Sequence, residues 1–161
     1  MGDTSILNGK RILAVDDEPD VLEVIQEELG QCTVTTAQTF ESARDLIQAG
    51  GYDLIILDIM GVRGFDLLDE CRKSRIPAAM LTAHSIDVQS LNRSIRHGAV
   101  SFLPKDELSR LPEILAEILE SLEEGQSHWP KLFSRLGPFF HERLGVVWED
   151  LERPPYPPYF Y

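Results

Sequence analysis

Several side chains able to carry negative charge, bind a metal or handle a phosphoryl group stand directly behind short apolar runs. Asp16, Asp17 and Glu18 follow residues 11–15, Asp58 follows 54–57, Thr82 follows 78–81, and Lys105 follows 100–103 behind Pro104. Any one of them alone would pass for a helix cap or a solvated turn. The whole series, in order behind successive runs, is far harder to obtain by chance. Carboxylates brought together repel unless a cation or a transferable proton offsets their charge. Oxygen donors with no His or Cys beside them favour a hard ion, magnesium rather than zinc. A carboxylate left facing such an ion can act as a nucleophile toward phosphorus. Lys105 would then supply a point charge to the phosphoryl oxygens and Thr82 a hydroxyl donor. That combination describes an aspartyl-phosphate site.

The elements that must position these groups alternate in type. Strand-like runs at 11–15, 33–37, 54–57, 78–81 and 100–103 are interleaved with helical patterns at 20–29, 40–48, 65–73, 86–96 and 108–122. In the first helical pattern Val21, Leu22, Val24, Ile25 and Leu29 fall at helical spacing and Pro19 opens it. The fourth ends at His97-Gly98, a C-terminal glycine stop. Such alternation predicts an α/β fold, a parallel sheet covered by helices on both faces. Ligands in these sheets gather at the carboxyl ends of the strands, where the polar series lies.

Four stretches carry a resemblance to a known family: ILAVDDEP at 12–19, LIILDIM at 54–60, MLTA at 80–83 and GAVSFLPK at 98–105. From about residue 10 to residue 124 the chain resembles the response-regulator receiver domain of two-component signalling. The resemblance implies a doubly wound five-stranded parallel sheet of order 2-1-3-4-5, the flavodoxin-like arrangement, which sets the first strand beside the third. It also implies roles. Asp58 accepts phosphate from a phosphohistidine of a histidine kinase or phosphotransfer protein. Magnesium is bound directly by Asp17 and Asp58, mainly through water by Asp16, and by the backbone carbonyl of Met60. Thr82 and Phe102 match the family's switch pair, in which the hydroxyl moves to the phosphoryl group and the ring turns inward; plain core packing is the other reading of Phe102. One segment departs from the pattern. Residues 59–63 form a loop two residues shorter than usual, without the customary proline. Gly61 is expected to supply flexibility for the tighter turn, and Arg63 is expected to be solvent-exposed rather than folded over the phosphoryl group.

Composition narrows the rest. With 15 Lys+Arg against 27 Asp+Glu the formal net charge is −12, and an acidic surface repels phosphate backbones, which disfavours nucleic-acid binding. No long uninterrupted apolar stretch predicts a membrane span, and the N-terminus has no secretory pattern. Cys32 and Cys71 form no metal or disulfide pattern, and a reducing cytoplasm is the expected setting.

The last 36 residues differ in character, because residues 126–161 hold four acidic and four basic side chains but nine of the 13 aromatics and six of the ten prolines. The chain therefore divides into a tail at 1–9, a receiver at 10–124, and a helical, aromatic- and proline-rich segment at 125–161. In that segment Trp129, Leu132, Phe133, Leu136, Phe140, Leu144, Val147, Trp148 and Leu151 recur at helical steps. Such a stripe requires a covering surface, and a homodimer is expected to provide it, with docking on the chain's own receiver as the rival. The expected function is a phospho-accepting switch acting through protein contacts, without enzymatic output. A receiver-fold scaffold working without phosphorylation is the alternative. An aspartate-nucleophile phosphatase ranks last, because the position two residues after Asp58 is Met60 and not a second Asp.

Overall fold

The computed structural model of the 161-residue chain describes residues 3–83 and 87–132. Five strands, β1 (Arg11–Val15), β2 (Thr33–Ala37), β3 (Leu54–Asp58), β4 (Ala78–Thr82) and β5 (Ser101–Pro104), alternate with five helices. The helices are α1 (Pro19–Glu28), α2 (Phe40–Ala49), α3 (Gly64–Lys73), α4 (Val88–Arg96) and α5 (Leu111–Glu123). All strand pairs are parallel and the order is β2-β1-β3-β4-β5. Every residue of β3 and β4 is buried, as their unbroken apolar runs require. The Thr-rich β2 at one edge is only partly covered. Helix α1 packs beside α5, and α3 packs between α2 and α4, so the two sets cover opposite faces of the sheet.

Local chemistry sets the helix ends. Pro19 starts α1, Thr39 Oγ1 accepts from the Ser42 amide at 3.2 Å, and an Asp87 oxygen accepts from the Ser90 amide at 2.7 Å. Gly98, at φ 93°, ends α4 as the sequence predicts, and the Ala99 amide bonds back to the Ser94 carbonyl at 3.0 Å.

Two boundaries differ from expectation. The tail expected at 1–9 contributes to the core: Ser5–Leu7 forms a 3₁₀ turn against α5 and Leu7 is buried. The helix expected from Leu108 begins at Leu111, because Lys105–Arg110 winds as a 3₁₀ segment in which Glu107 leaves helical geometry.

Beyond α5 the chain reverses. Gly125 adopts φ 69°, and the Gln126 amide bonds to the Ser121 carbonyl at 2.8 Å, a six-residue closure that turns residues 126–132 back over the domain. His128, Trp129 and Leu132 are buried there. Of the nine stripe positions only Trp129 and Leu132 fall among the described residues, and both pack into the core of their own chain. The other seven, and the expected polyproline-like end, lie outside the described residues. Among the described residues no helix is long and apolar enough to cross a membrane.

Candidate functional site

Strand register brings the polar series together. Val15 is aligned with Leu57, Asp58 with Leu81, and Thr82 with Pro104, so the residues just beyond or at the ends of β1, β3, β4 and β5 converge at one edge. Asp16, Asp58 and Thr82 are buried there, while Asp17 is exposed.

Lys105 ties the acids to one another. Its Nζ lies 2.9 Å from Asp16 Oδ2, 3.4 Å from Asp58 Oδ1 and 3.5 Å from Glu18 Oε1. Asp16 Oδ1 accepts from the Glu18 amide at 2.9 Å, so both oxygens of Asp16 are engaged. Burial pushes the Asp16 pKa up, against the opposing pull of the Glu18 amide and Lys105. Burial also works against the Lys105 ammonium, but Asp16, Asp58 and Glu18 outweigh it and leave its pKa raised. The hydroxyl of Thr82 is buried and has no hydrogen-bond partner among the described residues, so it can answer a new group arriving in the pocket.

The short loop after β3 shapes the other side. The Gly61 amide donates to Asp58 Oδ2 at 3.0 Å. A Cβ placed on Gly61 would lie 2.5 Å from Asp17 Oδ1 and 2.6 Å from Asp58 Oδ2. The flexibility expected of Gly61 is not what the turn uses, since Gly61 is not among the residues at positive φ; Arg63 is, at φ 56°. Glycine is required at 61 for space. Arg63 is exposed, as the sequence predicts: its Nε bonds to Asp66 at 2.9 Å and its guanidinium lies 4.0 Å from the centre of the Phe40 ring.

The carboxylate oxygens of Asp16, Asp17 and Glu18 lie within 4.8 Å of one another, a grouping that could hold a metal ion. Asp58 Oδ2 and Asp17 Oδ1 face the same small gap beneath Gly61. The donors are oxygens and the acids outnumber the single ammonium of Lys105 that contacts them, which fits a hard divalent cation. Glu18 was not assigned a role by the sequence; it sits close in the chain to Asp16 but reaches Lys105 only through the fold.

The 2-1-3-4-5 parallel sheet that carries Asp16, Asp58, Thr82 and Lys105 places the chain beside known proteins of the same fold. The profile of the response regulator receiver domain covers residues 12–118. The chain belongs to the response regulator receiver family. The two-component response regulator ARR18 of Arabidopsis thaliana is 37% identical over 103 residues, which is 60% of this chain and 16% of that protein. The response regulator protein PilR of Pseudomonas aeruginosa is 32% identical over 120 residues, 70% of this chain and 27% of that protein. The chain thus spans less than a third of either relative. The receiver domain of NtrX from Brucella abortus superimposes with TM-score 0.61 at 32% identity, covering 68% of this chain and 98% of that one. A CheY-like receiver protein from Methanospirillum hungatei gives TM-score 0.66 at 25% identity, covering 73% and 98%. The receiver fold, its strand order and membership of the response regulator receiver family are those expected from the sequence.

One contact has no counterpart in the sequence reading. Ser101 Oγ, on β5, lies 2.8 Å from His128 Nδ1, and Phe102 beside it meets the Trp129 ring edge-on with centroids 4.6 Å apart. Gly125 is the one local signal for it, since only a reversal after α5 brings residues 128 and 129 to β5.

Proposed function

We propose that Asp58 is the phosphoacceptor and that its modification, supported by magnesium, switches protein contacts of this receiver. The observation carrying this reading is the placement of Lys105 against both Asp16 and Asp58, with the unsatisfied Thr82 hydroxyl buried at the end of the adjoining strand. Asp58 Oδ2 is held by the Gly61 amide, which leaves Oδ1, on the Lys105 side, to attack phosphorus. The new O–P bond forms as the bond from phosphorus to the donor's histidine nitrogen breaks, and that nitrogen leaves with the bonding pair. Lys105 then meets a transferred phosphoryl oxygen, and Thr82 turns its hydroxyl to another. Magnesium held by Asp17 and Asp58, by the Met60 carbonyl and through water by Asp16 would supply positive charge to those oxygens. Asp16, with Oδ1 held by the Glu18 amide and Oδ2 ion-paired with Lys105, serves as an indirect ligand, and exposed Asp17 as a direct one.

The donor is a histidine kinase or a phosphotransfer protein in the cytoplasm. Output is through protein contacts rather than catalysis, since exposed Met60 stands where a phosphatase of the aspartate-nucleophile class would carry a second acid. The charge of −12 argues against a nucleic-acid partner. A homodimer through the C-terminal segment remains part of the proposal, resting on the stripe positions beyond Leu132. Light scattering of the full chain against one ending at Glu124 tests it, with two monomers removing the dimer.

Treatment with magnesium and a small acyl phosphate tests the central step. Intact-mass analysis is expected to show one added phosphoryl group in the parent and none in Asp58→Asn. An adduct that persists in the variant overturns the assignment, and a parent that takes none favours the phosphorylation-independent scaffold.

A further inference from the structure

The strand β5 is the outermost strand of the sheet next to β4, so its other edge is free of strand pairing. Adjacent residues of a strand point to opposite faces, and Ser101 and Phe102 are adjacent. His128 reaches Ser101 and Trp129 reaches Phe102, so the returning segment straddles that free edge. On the α5 face, His128 Nε2 also lies 3.5 Å from Glu117 Oε2, and Lys131 Nζ lies 3.5 Å from Ser121 Oγ. Trp129 and Leu132 complete the cover with almost no exposure. The segment is therefore gripped on both faces, by polar contacts on one and by an edge-on aromatic pair on the other.

The aromatic grip touches the site's own machinery. Met80 is aligned with Phe102 and Thr82 with Pro104, which puts Thr82 and Phe102 on one face of the sheet as diagonal neighbours. Phe102 thus neighbours Thr82 diagonally across the β4–β5 pair and meets Trp129 from the returning segment. A ring in that position cannot follow Thr82 inward and keep the same contact with Trp129.

We infer that the free edge of β5 is a docking surface for the chain's own segment 128–132, and that phosphorylation of Asp58 loosens its aromatic grip. This rests on the reading of Asp58 and Thr82 given above. Drawing the Thr82 hydroxyl to the phosphoryl group opens space beside Phe102, the ring moves into it, and Trp129 loses its partner. His128 keeps the start of the segment on Ser101 and Glu117, so Trp129 and the residues after it are released first. Coupling of this kind is reciprocal: a segment that docks better on unmodified protein must also weaken binding of a phosphoryl group or its mimic.

The test uses the full chain with Trp148→Phe, which leaves Trp129 as the sole tryptophan. Acrylamide quenching of Trp129 is measured before and after acyl phosphate with magnesium, with intact mass recording the phosphorylated fraction. The quenching constant is expected to rise severalfold with phosphorylation, and not in the same chain carrying Asp58→Asn. In parallel, Trp129→Ala is expected to bind beryllofluoride with magnesium severalfold more tightly than the parent, and Trp129→Phe, which keeps a smaller ring, to fall between them. Fully phosphorylated protein with Trp129 quenching unchanged or reduced overturns the coupling alone. Equal beryllofluoride affinity in parent and both Trp129 variants overturns it as well. A chain that takes no phosphoryl group overturns the reading of Asp58 and the coupling with it.

Discussion

The backbone amide of Gly61 donates to Asp58 Oδ2, and the same residue has no room for a side chain between that oxygen and Asp17 Oδ1. Both facts belong to the short stretch between Asp58 and Gly64, where β3 ends and α3 begins. The chain must pass directly over the acids to reach α3 in time, and Gly64 closes the passage with equal tightness, since a Cβ there would lie 2.4 Å from the Asp58 carbonyl oxygen.

Gly61→Ala is therefore expected to crowd the gap that faces both carboxylates. Overpacking of this kind costs about 1–3 kcal/mol; borne by the metal-bound state, that corresponds to roughly a 5- to 150-fold loss in magnesium affinity. Calorimetric titration with magnesium checks this, and the phosphorylation time course should slow in step. Unchanged affinity would mean that Asp17 and Asp58 give way freely.

Lys105→Ala should destabilise the metal-free protein. Removing one partner of a buried charge pair costs about 3–5 kcal/mol, and Asp16 is fully buried beside Lys105. Added magnesium should restore much of the loss by replacing the missing positive charge. Urea unfolding with and without magnesium reads both effects, and equal losses in the two conditions would argue against a cation site among these acids.

Asp17→Asn is expected to weaken magnesium binding more than Asp16→Asn. Asp16 already spends its oxygens on Lys105 and the Glu18 amide, so it acts on the ion from the outer shell, where losses are about 10–100-fold. A titration giving the reverse order would exchange the two roles.

Stability against pH should separate Asp16 from Lys105. The Asp16 pKa is raised by burial, so the folded state holds that proton more tightly than the unfolded chain. Its destabilising contribution grows as pH climbs from the ordinary carboxylate value of 3.8 through the folded-state pKa, and is then constant. Asp16→Asn should thus gain stability relative to the metal-free parent over that window. For Lys105 the raised pKa acts the other way: its contribution is full below 10.5 and is lost only as pH rises through the folded value. Denaturation midpoints of parent and variant across the acid range check the first statement, and parallel curves would refute it.

Much of the site was legible in the amino-acid sequence. Strand-end positions of Asp16, Asp58, Thr82 and Lys105 follow from apolar runs of fixed length, because a buried parallel strand excludes charge until it emerges. The alternation of those runs with helical patterns determined the layered fold, and the order 2-1-3-4-5 came with the family resemblance. Local signals also marked Gly98 as a helix end and Arg63 as exposed.

What only the tertiary structure decided concerns contacts between residues far apart in the chain. A glycine in a loop suggests freedom of φ, yet Gly61 is required for the space left by two acids, one of them 44 positions away at Asp17. An apolar stripe states that a surface must cover it without saying which, and the reversal at Gly125 chose β5 for Trp129 and Leu132. Periodicity records which face of an element avoids water. The identity of the neighbour on that face depends on where the rest of the chain is carried, and no short stretch of residues encodes it.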